Sequence, residues 1–301
     1  MILCNLNIIF CELTKESRIF REIGKRQLTG AVRHTRNHES CEKGYNMKCL
    51  MSLVILSGLL TGATAHAKEQ VFKNNDQNKV QILELYTSEG CSSCPPADEW
   101  VSHLTGGKGV FRTFIPVVFH VEYWNYIGWK DIFSHASFSQ RQRLYSREWG
   151  SRSIATPSFV LNGHLWKKWR QGKKARKYLN RRLKAEGHLE VKVQNFVNVT
   201  VRYQLPNQSG NRTVYLAQMS EGVISKITGG ENQGRTLRHD FAVTNLTKVP
   251  LKKSGAGLYH AKMKLSSVPK ALKGKKMSLA VWVSSSESQT PLQAVGGYLE
   301  P

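Results

Sequence analysis

Two cysteines separated by two serines, Cys91-Ser92-Ser93-Cys94, are the residues of this chain best suited to chemistry. A run of β type, Val80 to Tyr86, leads into them, and a helix-like segment, Asp98 to Leu104, leaves them. At such a junction the first thiol sits over unpaired backbone N–H groups and the positive end of the helix dipole. Both favour the thiolate, the form that reacts in disulfide exchange. Pro95 and Pro96 suit the first helical turn, where a missing N–H costs nothing. Zinc sites and fixed disulfides use the same cysteine spacing. No second Cys-x-x-Cys and no His-x-His follows at metal-ligand spacing, which disfavours a closed zinc site. A disulfide that only rigidifies a helix start stays open beside the redox reading.

Other residues are candidates to serve this pair. Glu84 interrupts an otherwise apolar strand seven residues before Cys91. A lone acid there is expensive unless paired or protonated, so it either lies beneath the dithiol and moves a proton or faces water at a strand end. Thr156-Pro157 stands before the β run Ser158 to Leu161 and its tight Asn162-Gly163 turn. In dithiol folds such a proline is cis, faces the cysteines, and leaves backbone free to pair with a substrate chain. A second apolar strand, Phe114 to Trp124, carries His120 and Glu122 on one face and runs into a loop with Trp124, Trp129 and Asp131. Loops of this texture form pocket walls, although packing is an equal role for the two tryptophans. A hydrogen-bonded structural role suits His120 and Glu122.

The elements that must position these groups follow in order. Residues 1–46 show no sustained periodicity and read as a disordered, over-long extension. Residues 47–67 hold a Lys, a short apolar run and Ala65-His66-Ala67, the layout of a signal peptide, so Met47 is the expected true start. Cleavage near Ala67 would leave Cys91 and Cys94 as the remaining thiols, in keeping with a periplasmic or secreted dithiol protein. Ser137 to Trp149 has helical spacing, with Phe138, Gln142, Tyr145 and Trp149 on one face. Between Lys167 and Lys184, ten of eighteen positions are basic and none is acidic; Ala175, Tyr178, Leu179 and Leu183 form an apolar stripe. This basic helix, with Trp166 and Trp169 nearby, suits an anionic envelope surface. The net charge of +23 favours anionic neighbours generally, though no nucleic-acid motif accompanies it.

From Leu189 the chain alternates in β fashion through Leu205, with further strands expected at Val214–Met219, Leu258–Leu265 and Met277–Val283. These suggest a small antiparallel sandwich or barrel over 188–301, separate from a first domain over 68–187. The stretch Gly229 to Arg235 lacks the Gly-Lys-Ser/Thr of a phosphate loop, so no nucleotide is expected there.

The segments Leu83 to Asp98, Phe119 to Asp131 and Thr156-Pro157, with Gly230-Glu231-Asn232-Gln233-Gly234-Arg235-Thr236-Leu237, resemble the exported bacterial proteins called DUF1223. That resemblance implies an α/β, thioredoxin-like sandwich with a C-terminal antiparallel β-rich part. By analogy with thioredoxins, Cys91 would attack, Cys94 would resolve the mixed disulfide and Pro157 would be the cis-proline. Thr156 and Pro157 would position the substrate backbone. The Ser-Ser between the cysteines differs from the familiar thioredoxin pairs and leaves the direction of the reaction open. The reading reached is an exported thiol–disulfide oxidoreductase acting on protein or small-molecule thiols and disulfides, with no organic cofactor and no metal. Two rivals remain: a non-catalytic envelope protein that binds an anionic partner, its disulfide a staple, and a copper(I) site with His120 as an extra ligand.

Overall fold

Apolar runs become strands buried on both faces, and alternating runs become strands with one face in water. The computed structural model describes residues 68–75, 77–205 and 210–300. The extension and signal segment expected at 1–67 lie outside them. In chain order the elements begin with β1 (Glu69–Lys73), β2 (Asn78–Lys79), β3 (Gln81–Thr87), α1 (Pro95–Ser102), β4 (Phe114–His120) and α2 (Ala136–Glu148). Next come β5 (Ser158–Leu161), β6 (His164–Leu165), α3 (Arg176–Leu179), β7 (Leu183–Lys184), β8 (His188–Gln194) and β9 (Asn198–Gln204). The last are β10 (Arg212–Glu221), β11 (Val223–Lys226), β12 (Thr236–His239), β13 (Ala242–Pro250), β14 (Lys252–Gly255), β15 (Leu258–Lys264), β16 (Lys276–Ser285) and β17 (Pro291–Tyr298). The architecture is mixed α/β and mostly strand.

One eight-stranded sheet has the order β17-β16-β10-β13-β4-β3-β5-β6. Its β3–β4 and β4–β13 pairs are parallel and the others antiparallel. A second, antiparallel sheet has the order β1-β8-β9-β15-β14. Every residue of β3, β4 and β10 is buried. Period two then divides β10 and β16 between two cores. Val214, Leu216, Leu279, Val281 and Val283 join Leu189, Val191, Val199, Val201 and Tyr203 of the five-stranded sheet. Tyr215, Ala217, Met219, Ala280 and Trp282 face the other way, into the core that holds Leu85, Phe119, Val101 and Tyr145. Each such buried side chain stabilises the fold by about 1.5–3 kcal/mol.

This topology corrects the boundary expected between 187 and 188. Strands from 212–298 extend the same sheet as β3 to β6, and the described residues all fall within one unit, Ala65–Pro301. The C-terminal strands make no separate sandwich; they are shared between two sheets, because Ala242 of β13 pairs with Val118 of β4.

α2 runs over Ala136–Glu148 with Phe138, Gln142 and Tyr145 buried, close to the spacing-based expectation. Asn162 and Gly163 turn with φ of 50° and 84°, the left-handed pair that a tight hairpin needs. α1 starts at Pro95 instead of Asp98, since proline fits an N-terminal turn. The strand expected through Trp124 stops at His120, and Glu122–Ile127 is a 3-10 turn. The basic stretch is no continuous helix. It is a 3-10 segment, Lys168–Ala175, kinked at Gly172 (φ 55°), followed by the four-residue α3. Like charges three and four residues apart repel along a helix, and Gly172 offers the break. Ala175 and Leu179 of the expected stripe are fully buried, whereas Tyr178 and Leu183 are half-buried.

Candidate functional site

Where β3 ends, Thr87 to Gly90 carries the chain over the top of the sheet to Cys91, and α1 begins just beyond Cys94. The two cysteines are joined in a disulfide with Cα atoms 5.4 Å apart. Cys94 occupies the cap position of α1 without a side-chain cap. Ser92 and Ser93 are exposed, but Cys91 and Cys94 are only 1% and 0% exposed. Expected as an available thiol, Cys91 is thus covered in this oxidised form.

The Thr156–Pro157 bond is cis, and the Thr156 carbonyl lies 3.9 Å from Cys91 Sγ. Ser93 Oγ donates to the same carbonyl at 3.5 Å, and Trp124 Nε1 donates to Thr156 Oγ1 at 2.8 Å. Cys91, Cys94, Thr156, Pro157 and Trp124 therefore form one cluster.

Beside it lies a cluster of ionisable side chains, most of them buried. Glu89 donates its amide to Asp131 Oδ2 at 2.9 Å, and the same oxygen is 2.6 Å from His120 Nδ1. Glu89 also receives Trp129 Nε1 at 2.7 Å and pairs with His239 Nε2 at 3.0 Å. The rings of His120 and His239 meet edge to face. Burial by itself would lower His120, but the Asp131 charge and hydrogen bond, with Asp98 and Glu89 behind them, raise it to about 9. Burial pushes Asp131 up, yet His120 outweighs it and holds the carboxyl below its usual range. Asp98, one helical turn past Cys94, accepts from Thr87 Oγ1 at 2.8 Å. Desolvation raises its carboxyl to about 6, with His120 and His239 restraining the rise.

Two expected site residues lie elsewhere. Glu84 is not a proton shuttle below the dithiol. Its carboxylate takes a bidentate bond from Arg141 at 2.8 and 2.9 Å and hydroxyl bonds from Tyr86 and Tyr145, both at 2.6 Å. Arg141 also lies against the rings of Tyr215 and Trp282. This satisfied pair ties β3 to α2 and to the C-terminal strands. Glu122 sits on the 3-10 turn bonded to Ser139 Oγ, off the strand face it was expected to share with His120. His120 spends its Nδ1 on Asp131, and among the described residues no group of three or more His, Cys, Asp and Glu is arranged to hold a metal ion. Trp166, expected near an envelope surface, is buried against Trp100 and Phe159.

A clasp with no counterpart among the sequence-based expectations holds the cysteine loop. Glu231 Oε2 accepts the Ser92 amide at 3.0 Å, and the fully buried Asn232 donates to the carbonyls of Glu89 (2.7 Å) and Cys91 (2.9 Å). Gly229 packs so closely on the Gly128 carbonyl that a Cβ would collide with it. The Gly229 to Arg235 stretch is therefore a polar hand laid over the cysteine loop. Its sequence signals were the glycine-rich composition and the family resemblance of Gly230 to Leu237, and neither carries a hint of what it touches. Glu89, Asp98 and His239 were missed for the same reason: each is a lone ionisable residue until folding assembles them.

A family model described as "Protein of unknown function (DUF1223)" matches residues 82–284. The chain belongs to the DUF1223 family. That match spans both cysteines, Thr156-Pro157 and the clasp. No curated protein matches. Among solved structures, HBP35 of Porphyromonas gingivalis is similar at 12% identity and a TM-score of 0.52, covering 75% of this chain and 77% of that one. An Agrobacterium tumefaciens protein solved by X-ray crystallography is 22% identical with a TM-score of 0.49, covering 74% of this chain and 95% of its own. At these identities the likeness to HBP35 is one of fold alone.

Proposed function

We propose that this DUF1223 protein is an exported, thioredoxin-like thiol–disulfide oxidoreductase of the periplasm or the exterior. The observation carrying the reading is a disulfide at a strand-to-helix junction, with Cys91 Sγ against the Thr156 carbonyl. A substrate thiolate attacks Cys91 Sγ, breaking the Cys91–Cys94 bond; Cys94 departs as a thiolate and takes a proton. A second substrate thiol, on losing its proton, attacks the first substrate sulfur and breaks its bond to Cys91, which leaves as a thiolate and takes that proton. The substrate leaves as a disulfide, and the protein has gained two electrons and two protons as a dithiol. In reverse, the Cys91 thiolate attacks a substrate disulfide and Cys94 resolves the mixed species. Thr156 and Pro157 border the path a substrate backbone would take. Asp98, raised to about 6 and one turn past Cys94, is suited to hold the proton that passes. Access to Cys91 requires the Gly229 to Arg235 clasp to move aside. The leader at residues 47–67 supports export, and the basic surface supports an anionic envelope neighbour.

The burial of both cysteines favours a second reading, a fixed staple in a non-catalytic protein. Insulin reduction by dithiothreitol separates the two, run beside free-thiol titration of the native protein. The oxidoreductase reading expects reduction of the pair without unfolding and faster insulin precipitation, both lost in Cys91→Ser. A pair reducible only after denaturation, with insulin unaffected, leaves the staple.

A further inference from the structure

The far end of α1 holds a second site that the dithiol does not explain. Here the turn following the helix meets the basic segment around α3 and borders an open cavity of about 410 Å³. Its polar lining is Lys108, Arg112, Thr113, Arg176, Asn180 and Arg182, with no carboxylate among the lining residues. The sequence accounts for that one-sidedness: no acid occurs between Glu99 and Glu122, or between Glu148 and Glu186. Arg176 is anchored by a 2.7 Å bond to the His103 carbonyl. Lys108, Arg112 and Arg182 are exposed and have no carboxylate partner among the described residues. Asn180 and Thr113 meet at 3.2 Å, fixing a hydroxyl and an amide on the same wall.

Four like charges around one concavity repel each other, and the field they share is concentrated by the low-dielectric wall behind it. A cavity of several hundred Å³ is the size that takes a small ligand. Three guanidinium groups supply the planar forks that match phosphate oxygens two at a time, and a lysine adds a point charge. We infer that this cavity binds a compact phosphate-bearing anion of two or more negative charges. Either a soluble phosphorylated molecule or the head group of an anionic lipid carries that chemistry. The site is independent of the redox reading and stands or falls without it.

Calorimetric titration of the purified protein with inorganic pyrophosphate at low salt tests it. Saturable one-site binding is expected, weakened about tenfold or more in the Arg112→Gln/Arg182→Gln variant. Arg182→Gln alone, expected to give a smaller loss, serves if the pair does not fold. The Arg202→Gln/Lys262→Gln variant removes equal charge from exposed positions of the five-stranded sheet, and it should bind within about twofold of the parent. Absence of saturable binding, or an equal loss in both double variants, overturns the proposal. Sedimentation with phosphatidylglycerol and phosphatidylcholine vesicles identifies the source. Binding to the anionic vesicles that pyrophosphate displaces supports a lipid head group; pyrophosphate binding without vesicle binding supports a soluble ligand. Vesicle binding indifferent to both pyrophosphate and Arg112→Gln/Arg182→Gln means a diffuse basic face, and the cavity assignment fails.

Discussion

Between His120 and Asp131, a 2.6 Å contact lets two groups stay charged where neither alone would tolerate burial. The imidazole is raised from 6.5 to about 9. A base whose folded pKa exceeds its unfolded value contributes stability that is whole below pH 6.5 and disappears as pH climbs through 9. His120→Gln should therefore destabilise by about 3 kcal/mol at pH 6.5, leaving Asp131 without its cation. The loss should shrink towards pH 9, which urea unfolding at the two pH values measures. An equal loss at both would mean that the ring acts through packing alone. Glu84 belongs to the same scale. As one acid in an apolar strand it was legible as a residue needing a partner, while Arg141 as that partner was not.

We propose the clasp as the element that governs access to the sulfur. Gly229 to Arg235 is held to the cysteine loop by three hydrogen bonds, two of them from one buried amide. Asn232→Ala leaves the Glu89 and Cys91 carbonyls without that donor, and should cost about 1–3 kcal/mol of global stability. Reduction of Cys91–Cys94 by dithiothreitol should accelerate about tenfold, since a local opening made easier by about 1.4 kcal/mol is populated ten times more. Timed release of free thiol in native buffer reads this. An unchanged rate in a destabilised variant would show that the cover lies elsewhere. The helix and hairpin beside the site were legible because period and turn chemistry act over a few residues. The basic stretch misled because composition suggested a helix, whereas charge repulsion and Gly172 broke it into short turns.

For the whole molecule, the decisive fact is that strands from both halves of the described chain share one sheet. β4 lies between β3 and β13, so residues 68–187 by themselves would leave an unpaired edge and remove Tyr215, Ala217, Met219, Ala280 and Trp282 from the core they share. Losing the cover of even a few such side chains, at about 1.5–3 kcal/mol each, exceeds what a domain can spare. A fragment of 68–187 should show no cooperative urea transition by circular dichroism, whereas a sharp one would restore the boundary at 187. Pro157 was set against the cysteines by analogy with dithiol folds, whereas the cysteine pair, the two-sided burial of β3 and the positive charge were written in the sequence. They depend on near neighbours or on composition. The partner of Glu84, the cluster of His120, His239, Asp98, Glu89 and Asp131, the hand on the cysteine loop and the sheet shared by both halves of the described chain were decided only by tertiary structure. Each depends on contacts between residues tens to hundreds of positions apart, and no periodicity records which distant chain arrives.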